Sequence, residues 1–308
     1  MKASVYKSTG SWYSVRDEHG EMRNARIKGK LKIGGLTSTN PVAVGDVVNI
    51  EIEREDSSDA LIVDVEDRRN HITRTSPHNR FQQHIVAANL DQSLLFATLR
   101  DPKTSLGFID RFLITAEAYQ VPAIIVFNKT DLLKTKDLTR LDEVQMMYET
   151  AGYKVMRTSI TENIGLAEVA NVLHNKTTLL TGHSGVGKST FINHLFPGLS
   201  LRTKDVSDWS GKGMHTTTFA EMFDLPTGGR IIDTPGIREL GLFDITRQEL
   251  SHYYPEMRAL INDCQFNNCM HINEPGCAVK NAVQNGALHS DRFVSYLSIL
   301  ETIVEHKY

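Results

Sequence analysis

Apolar and polar positions change rhythm twice along the chain. From Met1 to about Arg80 the apolar runs are short and break at glycine-containing turns. In the stretch 46–53, Val47, Ile50 and Ile52 roughly alternate with polar residues, and 61–65 reads Leu-Ile-Val-Asp-Val. Period-two patterning of this kind predicts half-buried strands, and several short strands in so few residues predict a small closed barrel. From about Ile85 to Leu242, buried-type strands alternate with helical stretches. Strands are predicted at 93–98, 123–127, 153–157, 177–181, 219–225 and 230–233, and helices near 109–119, 141–151, 166–174 and 188–195. That alternation predicts a mostly parallel sheet with helices on both faces. The final region closes on 290–306, where Phe293, Tyr296, Leu297, Leu300 and Ile303 recur at helical spacing. The reading is a multi-domain α/β chain: a β-barrel with a linker over 1–80, an α/β domain over 81–244 and a helical module over 245–308.

Composition narrows the class. No apolar run reaches the ~18 residues of a membrane helix, and the N-terminus lacks the apolar core of a secretory signal. A cytoplasmic protein without a membrane partner is expected. Lys and Arg total 34 against 37 Asp and Glu, for a net charge of -3, so a globally basic nucleic-acid binder is not indicated and only a local basic patch remains open. Three cysteines argue against a disulfide framework and leave metal binding or inert thiols.

The strongest chemical signal is Gly182-His183-Ser184-Gly185-Val186-Gly187-Lys188-Ser189, which matches G-x-x-x-x-G-K-[ST] between an apolar strand and a helix continuing through Thr190. Glycines let backbone N–H groups close around phosphate oxygens, and the helix N-terminus favours their charge. Lys188 would reach the outer phosphates and Ser189 would ligate Mg2+. A second signal, Asn128-Lys129-Thr130-Asp131, follows the strand 123–127 and resembles the N-K-x-D guanine motif of translation-factor-like GTPases. A carboxylate at Asp131 can accept from two guanine N–H groups, whereas adenine has no N1–H and would leave that charge unpaired. Asn128 can fix the loop and the Lys129 stem can cover the base. Thr158-Ser159, after the strand 153–157, is a candidate guanine-contacting loop.

Asp233-Thr-Pro-Gly236 follows a third strand and resembles the D-x-x-G motif, which implies that Asp233 holds Mg2+ through water and that the Gly236 N–H meets the γ-phosphate. Upstream, one threonine of Gly213-Met214-His215-Thr216-Thr217-Thr218 should complete the Mg2+ shell. Thr217 is favoured, with Thr216 and Thr218 still open. Ile237 stands where many GTPases carry a water-orienting Gln, and an aliphatic side chain cannot position water. Slow intrinsic turnover follows, or another group acts. His215 is the first candidate and His183 a weaker one. Gly185 occupies the position of an Asn in potassium-activated GTPases, so that form of activation is not expected. The motif order, guanine motif before phosphate loop before D-x-x-G, is a circular permutation of the Ras-like order.

Two features lie outside the nucleotide motifs. Cys264, Cys269, His271 and Cys277 use every cysteine within 14 residues, and three thiolates with an imidazole make a closed structural zinc site. Residues 22–32 hold five positive charges and no acid, followed by Arg68, Arg69, Arg74 and Arg80, while 51–67 holds eight acids and one Arg. That asymmetry suits an RNA-facing surface with an acidic opposite side. Trp12 and Tyr13 could stack on bases, with core packing their more common role.

Taken together, these motifs and their order resemble the circularly permuted ribosome small subunit-dependent GTPases (the RsgA family) over nearly the whole chain. The resemblance implies an N-terminal OB-fold, a permuted P-loop GTPase domain and a zinc-bearing helical module. It also implies GTP hydrolysis to GDP and phosphate, stimulated by the small ribosomal subunit and serving its late maturation, with the subunit and its rRNA as partners. Met214 departs from the family, in which Arg is common before the His-Thr-Thr run. A monomer is expected. The alternative is a GTP-regulated RNA-binding switch acting on a non-ribosomal RNA.

Overall fold

A computed structural model describes residues 1–29, 40–52, 59–75, 83–199, 201, 220–234, 242 and 245–303. The first strands are β1 (Lys2–Ser8), β2 (Tyr13–Asp17), β3 (Met22–Ile27), β4 (Val47–Ile52) and β5 (Asp59–Val65). They pair in the order β1-β2-β3-β5-β4, and β4 returns to β1, closing a five-stranded barrel. The β3–β5 pairing is parallel and the others are antiparallel. Alternation sends Val5, Val15, Ala25, Val48, Ile50 and Ile62 inward to one buried cluster. Tyr13 joins that core, whereas Trp12 stands half exposed at the β1–β2 turn, contrary to the packing role expected for it.

Several of the described cations in this region are paired with acids. Arg23 pairs with Asp17 and Glu21, and Lys28 pairs with Glu51 at 2.6 Å. Arg68 is buried against Asp46 at 2.7 Å, and Arg69 reaches Asp91 at 2.8 Å. Of the acidic stretch 51–67, Glu51 is among these partners, and the others come from elsewhere in the chain. Residues 30–39, 53–58 and 76–82 lie outside the described residues.

A ribbon of β6 (His71–Thr75) and β7 (Gln83–Ala88) leads into the second sheet. Its elements are β8 (Gln92–Ala97), α1 (Leu106–Ala118), β9 (Ala123–Phe127), α2 (Thr135–Thr150), β10 (Lys154–Arg157), α3 (Leu166–Leu173), β11 (Thr177–Gly182), α4 (Lys188–Leu195), β12 (Glu221–Asp224) and β13 (Arg230–Asp233). The strand order is β10-β9-β8-β11-β13-β12, all parallel except β12. Successive strand residues serve opposite faces. Leu95, Ala97, Ile125 and Phe127 pack with Phe112 of α1 and Val144 of α2. Leu94, Phe96, Ile124 and Val126 pack with Leu173 of α3 and Phe191 of α4. Each such Val, Leu, Ile or Phe side chain, fully buried, contributes about 1.5–3 kcal/mol. The strand β11 comes fourth in chain order within this sheet yet lies between β8 and β13. Circular permutation has this result, since reconnecting the elements leaves the phosphate-loop strand central.

The barrel and this sheet join edge to edge. Strand β1 pairs antiparallel with β12 at Lys7 and Glu221, so the described strands form one eleven-stranded sheet beside the ribbon. Tyr6 donates to Asp224 Oδ1 at 2.8 Å, and Arg16 reaches Asp224 Oδ2 at 2.6 Å. Tyr6 and Val44 of the barrel belong to the same buried cluster as Ile72, Leu95 and Phe112.

The C-terminal part holds α5 (Pro255–Arg258), α6 (Ala278–Gln284) and α7 (Ser290–Thr302). Leu250, Tyr254, Met257, Val279, Tyr296 and Ile299 build its core around Ile114 of α1. Arg292 of α7 is buried and pairs with the buried Asp110 of α1, while Glu256 accepts from its Nε at 2.6 Å. Among the described residues, no helix is long and apolar enough to cross a membrane.

Candidate nucleotide and metal sites

The apolar run of β11 ends on Gly182 at φ 136°, where a Cβ would come 2.3 Å from the Phe96 carbonyl oxygen. Only glycine lets the loop leave the sheet there. Val186 is buried in the core and anchors the loop from beneath, while Ser184 and Gly185 are exposed above it. Ser189 and Thr190 follow Lys188 in the first turn of α4. Lys188 is buried, and burial pushes its pKa down against the opposing pull of Asp233. Burial pushes the Asp233 carboxyl up, opposed by Lys188. The parallel register Leu180↔Asp233 brings the two groups to the same end of the sheet. Asp233 Oδ1 is buried without a hydrogen-bond partner. An orphaned carboxylate oxygen beside an ammonium is an acceptor that the water of a hydrated divalent cation would satisfy, so the residues present fit Mg2+.

The guanine motif meets this loop directly. Asn128 is buried, donates to the Val186 carbonyl at 2.9 Å and accepts from Thr158 Oγ1 at 3.0 Å. Gly187, at φ 91°, makes room for it, because a Cβ would approach the Asn128 amide nitrogen to 2.6 Å. Lys129 takes a left-handed backbone at φ 61°, and its ammonium donates to the Asp101 carbonyl at 2.7 Å. Thr130 donates to the Thr158 carbonyl through both its amide and its hydroxyl at 3.2 Å. Ser159 Oγ donates to Asp131 Oδ1 at 2.7 Å and accepts from the Glu162 amide at 3.1 Å. Asn128, Asp131, Ser159 and the Gly182–Ser189 loop therefore share one end of the sheet, although they lie up to about 60 positions apart in sequence. The sequence reading missed Asp101. Its part is played by a backbone carbonyl, which leaves no residue-type signal.

His183 stacks on Phe108 of α1, ring centroids 3.8 Å apart and planes 30° apart. Burial, then the Lys188 charge, holds its imidazole below the usual histidine range. The ring is committed to α1. The segment with Met214, His215, Thr216, Thr217 and Thr218 lies outside the described residues, as do Gly236 and Ile237.

In the C-terminal module the ligand atoms of Cys264, Cys269, His271 and Cys277 lie within 4.8 Å of one another. His271 Nδ1 is 3.3 Å from Cys277 Sγ and 3.7 Å from Cys264 Sγ. Metal–sulfur bonds of about 2.3 Å give a tetrahedron with edges of roughly 3.8 Å, so the cluster fits one tetrahedral cation. Burial, with the Cys277 and Cys264 thiols beside it, pushes the Cys269 thiol up to about 12. A central dication reverses that balance, since each thiolate then faces positive charge. Glu274 accepts from the amides of Met270 and Ile272 at 2.9 and 2.8 Å and shapes the loop around His271.

Comparisons with known proteins agree with this geometry. The RsgA GTPase family model matches residues 65–243, and the RsgA N-terminal domain model matches residues 2–62. The small ribosomal subunit biogenesis GTPase RsgA of Flavobacterium psychrophilum is 48% identical over 98% of this chain and 93% of its own length. That of Phocaeicola vulgatus is 48% identical over 100% and 99%. The crystal structure of YjeQ from Thermotoga maritima superposes with a TM-score of 0.79 at 31% identity, covering 99% of both chains. YloQ, described as a circularly permuted GTPase, superposes with a TM-score of 0.73 at 27% identity, covering 100% and 96%.

Proposed function

The chain belongs to the RsgA GTPase family, and from that premise we propose that it hydrolyses GTP to GDP and phosphate while serving small ribosomal subunit biogenesis. The observation that carries the reading is the Asn128 side chain bonded to Val186 and Thr158, which ties the guanine motif and the phosphate loop into one site. We read 1–80 as the RNA-facing OB-fold with its linker, 81–244 as the permuted GTPase domain and 245–308 as the zinc-binding module. The partner is the small ribosomal subunit with its rRNA, the compartment is the cytoplasm and the free chain is a monomer.

In this reading the backbone amides of Gly182–Ser189 cradle the phosphates, with Lys188 neutralising their charge. Asp131, aligned by Ser159, accepts from the guanine N–H groups, and Asn128, Lys129 and Thr130 hold that loop against Thr158 and Asp101. Ser189 and Thr217, with Asp233 through water, would hold Mg2+, which would supply positive charge to offset that of the phosphoryl group. Gly236 offers its N–H to the γ-phosphate, and His215 orients the attacking water. Cys264, Cys269, His271 and Cys277 would hold Zn2+ in a structural role, since together they would supply four protein ligands.

The test is steady-state GTP hydrolysis with and without purified small subunits, with large subunits as the control. Stimulation by small subunits alone, lost in His215→Ala with nucleotide binding intact, is the expected result. Hydrolysis unchanged by either subunit would remove the ribosomal partner. Full stimulation in His215→Ala would remove that histidine from the mechanism.

A further inference from the structure

The phosphate loop touches a segment that nucleotide chemistry does not call for. Phe108, buried near the start of α1, carries the His183 ring on its face. Its amide donates to the Ser105 hydroxyl at 3.2 Å, which caps the helix at that point. Upstream, Pro102 Cδ lies 3.5 Å from where a Gly185 Cβ would stand, and the Asp101 carbonyl receives the Lys129 ammonium. The segment 101–108 therefore braces the outer side of the loop at His183 and Gly185 and the neighbouring guanine loop at Lys129.

Two residues beyond Phe108, Asp110 points elsewhere. At 3.6 residues per turn, side chains two apart project about 200° from each other. Asp110 is completely buried and pairs with Arg292 of α7. The guanidinium also lies over the rings of Tyr254, Tyr148 and Tyr153 at 4.5, 5.4 and 5.9 Å. One helix thus has the phosphate loop on one side and the C-terminal module on the other. Asp110 Oδ2, Glu256 Oε2 and the hydroxyls of Tyr153 and Tyr254 are buried without partners. A contact of this kind sets register more than it adds stability.

We propose that Phe108 is a positioning residue for the phosphate loop, and that the C-terminal module, through Arg292, sets where α1 holds it. The proposal rests on reading Gly182–Ser189 as the nucleotide site. It makes the module part of the nucleotide site's support, acting through α1.

The test uses the full zinc-loaded chain. Phe108→Leu removes the ring and keeps apolar volume. It should weaken GDP binding about threefold to tenfold, the range an aromatic pair commands, and speed amide exchange in the 183–187 peptide. Asp110→Asn with Arg292→Met removes both buried charges together and should shift affinity and exchange in the same direction. Combined with Phe108→Leu it should add little, because all three act through one contact. A paired variant that keeps its zinc and its α7 protection, yet binds GDP and exchanges 183–187 like wild type, overturns the proposal. Arg292→Lys, which keeps the charge but loses the two-sided reach, is the milder version should the pair fail to fold. The same readings apply to it. The wild-type chain adds an independent reading, since stacking must displace the His183 ring protons upfield and Phe108→Leu must restore them. Unshifted His183 protons in wild type also overturn the proposal. If wild type bound no guanine nucleotide, the functional reading would fall, whereas nucleotide binding insensitive to every variant would sink only this inference.

Discussion

Replacing Asn128 by alanine probes the joint on which the nucleotide site depends. The carboxamide is 4% exposed and makes two hydrogen bonds, to the Val186 carbonyl and from the Thr158 hydroxyl. Thr158 is itself fully buried, so its hydroxyl has no solvent to turn to. Each group left unpaired costs about 1–3 kcal/mol, and partial entry of water into the vacated space holds the sum to about 2–4 kcal/mol. At 1.4 kcal/mol per decade, a loss falling wholly on the bound state weakens GDP binding by about 30- to 1,000-fold. Thr158→Val removes only the second bond and should cost about 1 kcal/mol, or roughly fivefold. The assay pairs displacement of a fluorescent GDP analogue with denaturant unfolding of the free chain. Any part of the loss already felt without nucleotide then appears as lowered unfolding free energy. A summed loss below about 1 kcal/mol for Asn128→Ala would refute the reasoning, because the two bonds could not then be holding the loops together.

Other outcomes follow from single contacts. Ser159→Ala withdraws the hydroxyl donated to Asp131 and should weaken GDP binding about tenfold while leaving the melting temperature within a few degrees, as titration calorimetry and a thermal scan will read. Metal analysis should find one zinc per chain. Cys277→Ser or a strong chelator should strip it and expose the amides of 264–284 to exchange, with β1 to β5 still protected. Asp17 is held below the ordinary carboxylate range by the Arg23 guanidinium, with the Glu21 and His19 amides adding to it. A depressed folded value stabilises the fold above the unfolded pKa of about 4 and is lost as pH falls through the folded one. Barrel protection should therefore decline in acid below pH ~4, and Asp17→Asn should flatten that decline. An unchanged acid profile in the variant would remove Asp17 from the account.

Much of the GTPase sheet was legible because its strands are short, apolar at their centres and bounded by turn residues. The runs 123–127, 230–233 and 188–195 emerge with the limits that the pattern gives. The phosphate and guanine motifs were legible because their chemistry needs those residue types at those spacings. Strand β3 was hidden by its charges, since Arg23 and Arg26 mask the inward Ala25 and Ile27. The ribbon β6–β7 was hidden in the same way. His71, Arg74 and His84 interrupt the apolar positions Ile72, Ile85 and Val86, which reach the core only once the ribbon pairs. Arg292 was beyond reach. An arginine within an amphipathic helix reads as surface, and its partner Asp110 lies 182 positions away. The partners of Arg23 and Lys28 in the cationic stretch after Met22 were not legible, because charge is counted along the chain while pairing is set by the fold.

The edge-to-edge joint between barrel and GTPase sheet bears on how the chain is made. An unpaired strand edge invites other chains to add to it, and β12 would present one if nothing lay beside it. The strand beside it, β1, belongs to a barrel whose five strands are all in the chain by Val65 and close on one another. Synthesis runs from the N-terminus, so this neighbour can be folded and waiting when Glu221–Asp224 leaves the ribosome. Placing the barrel ahead of the permuted domain shields the edge strand from other nascent chains, and a chain deprived of its first 65 residues should be prone to self-association for that reason alone.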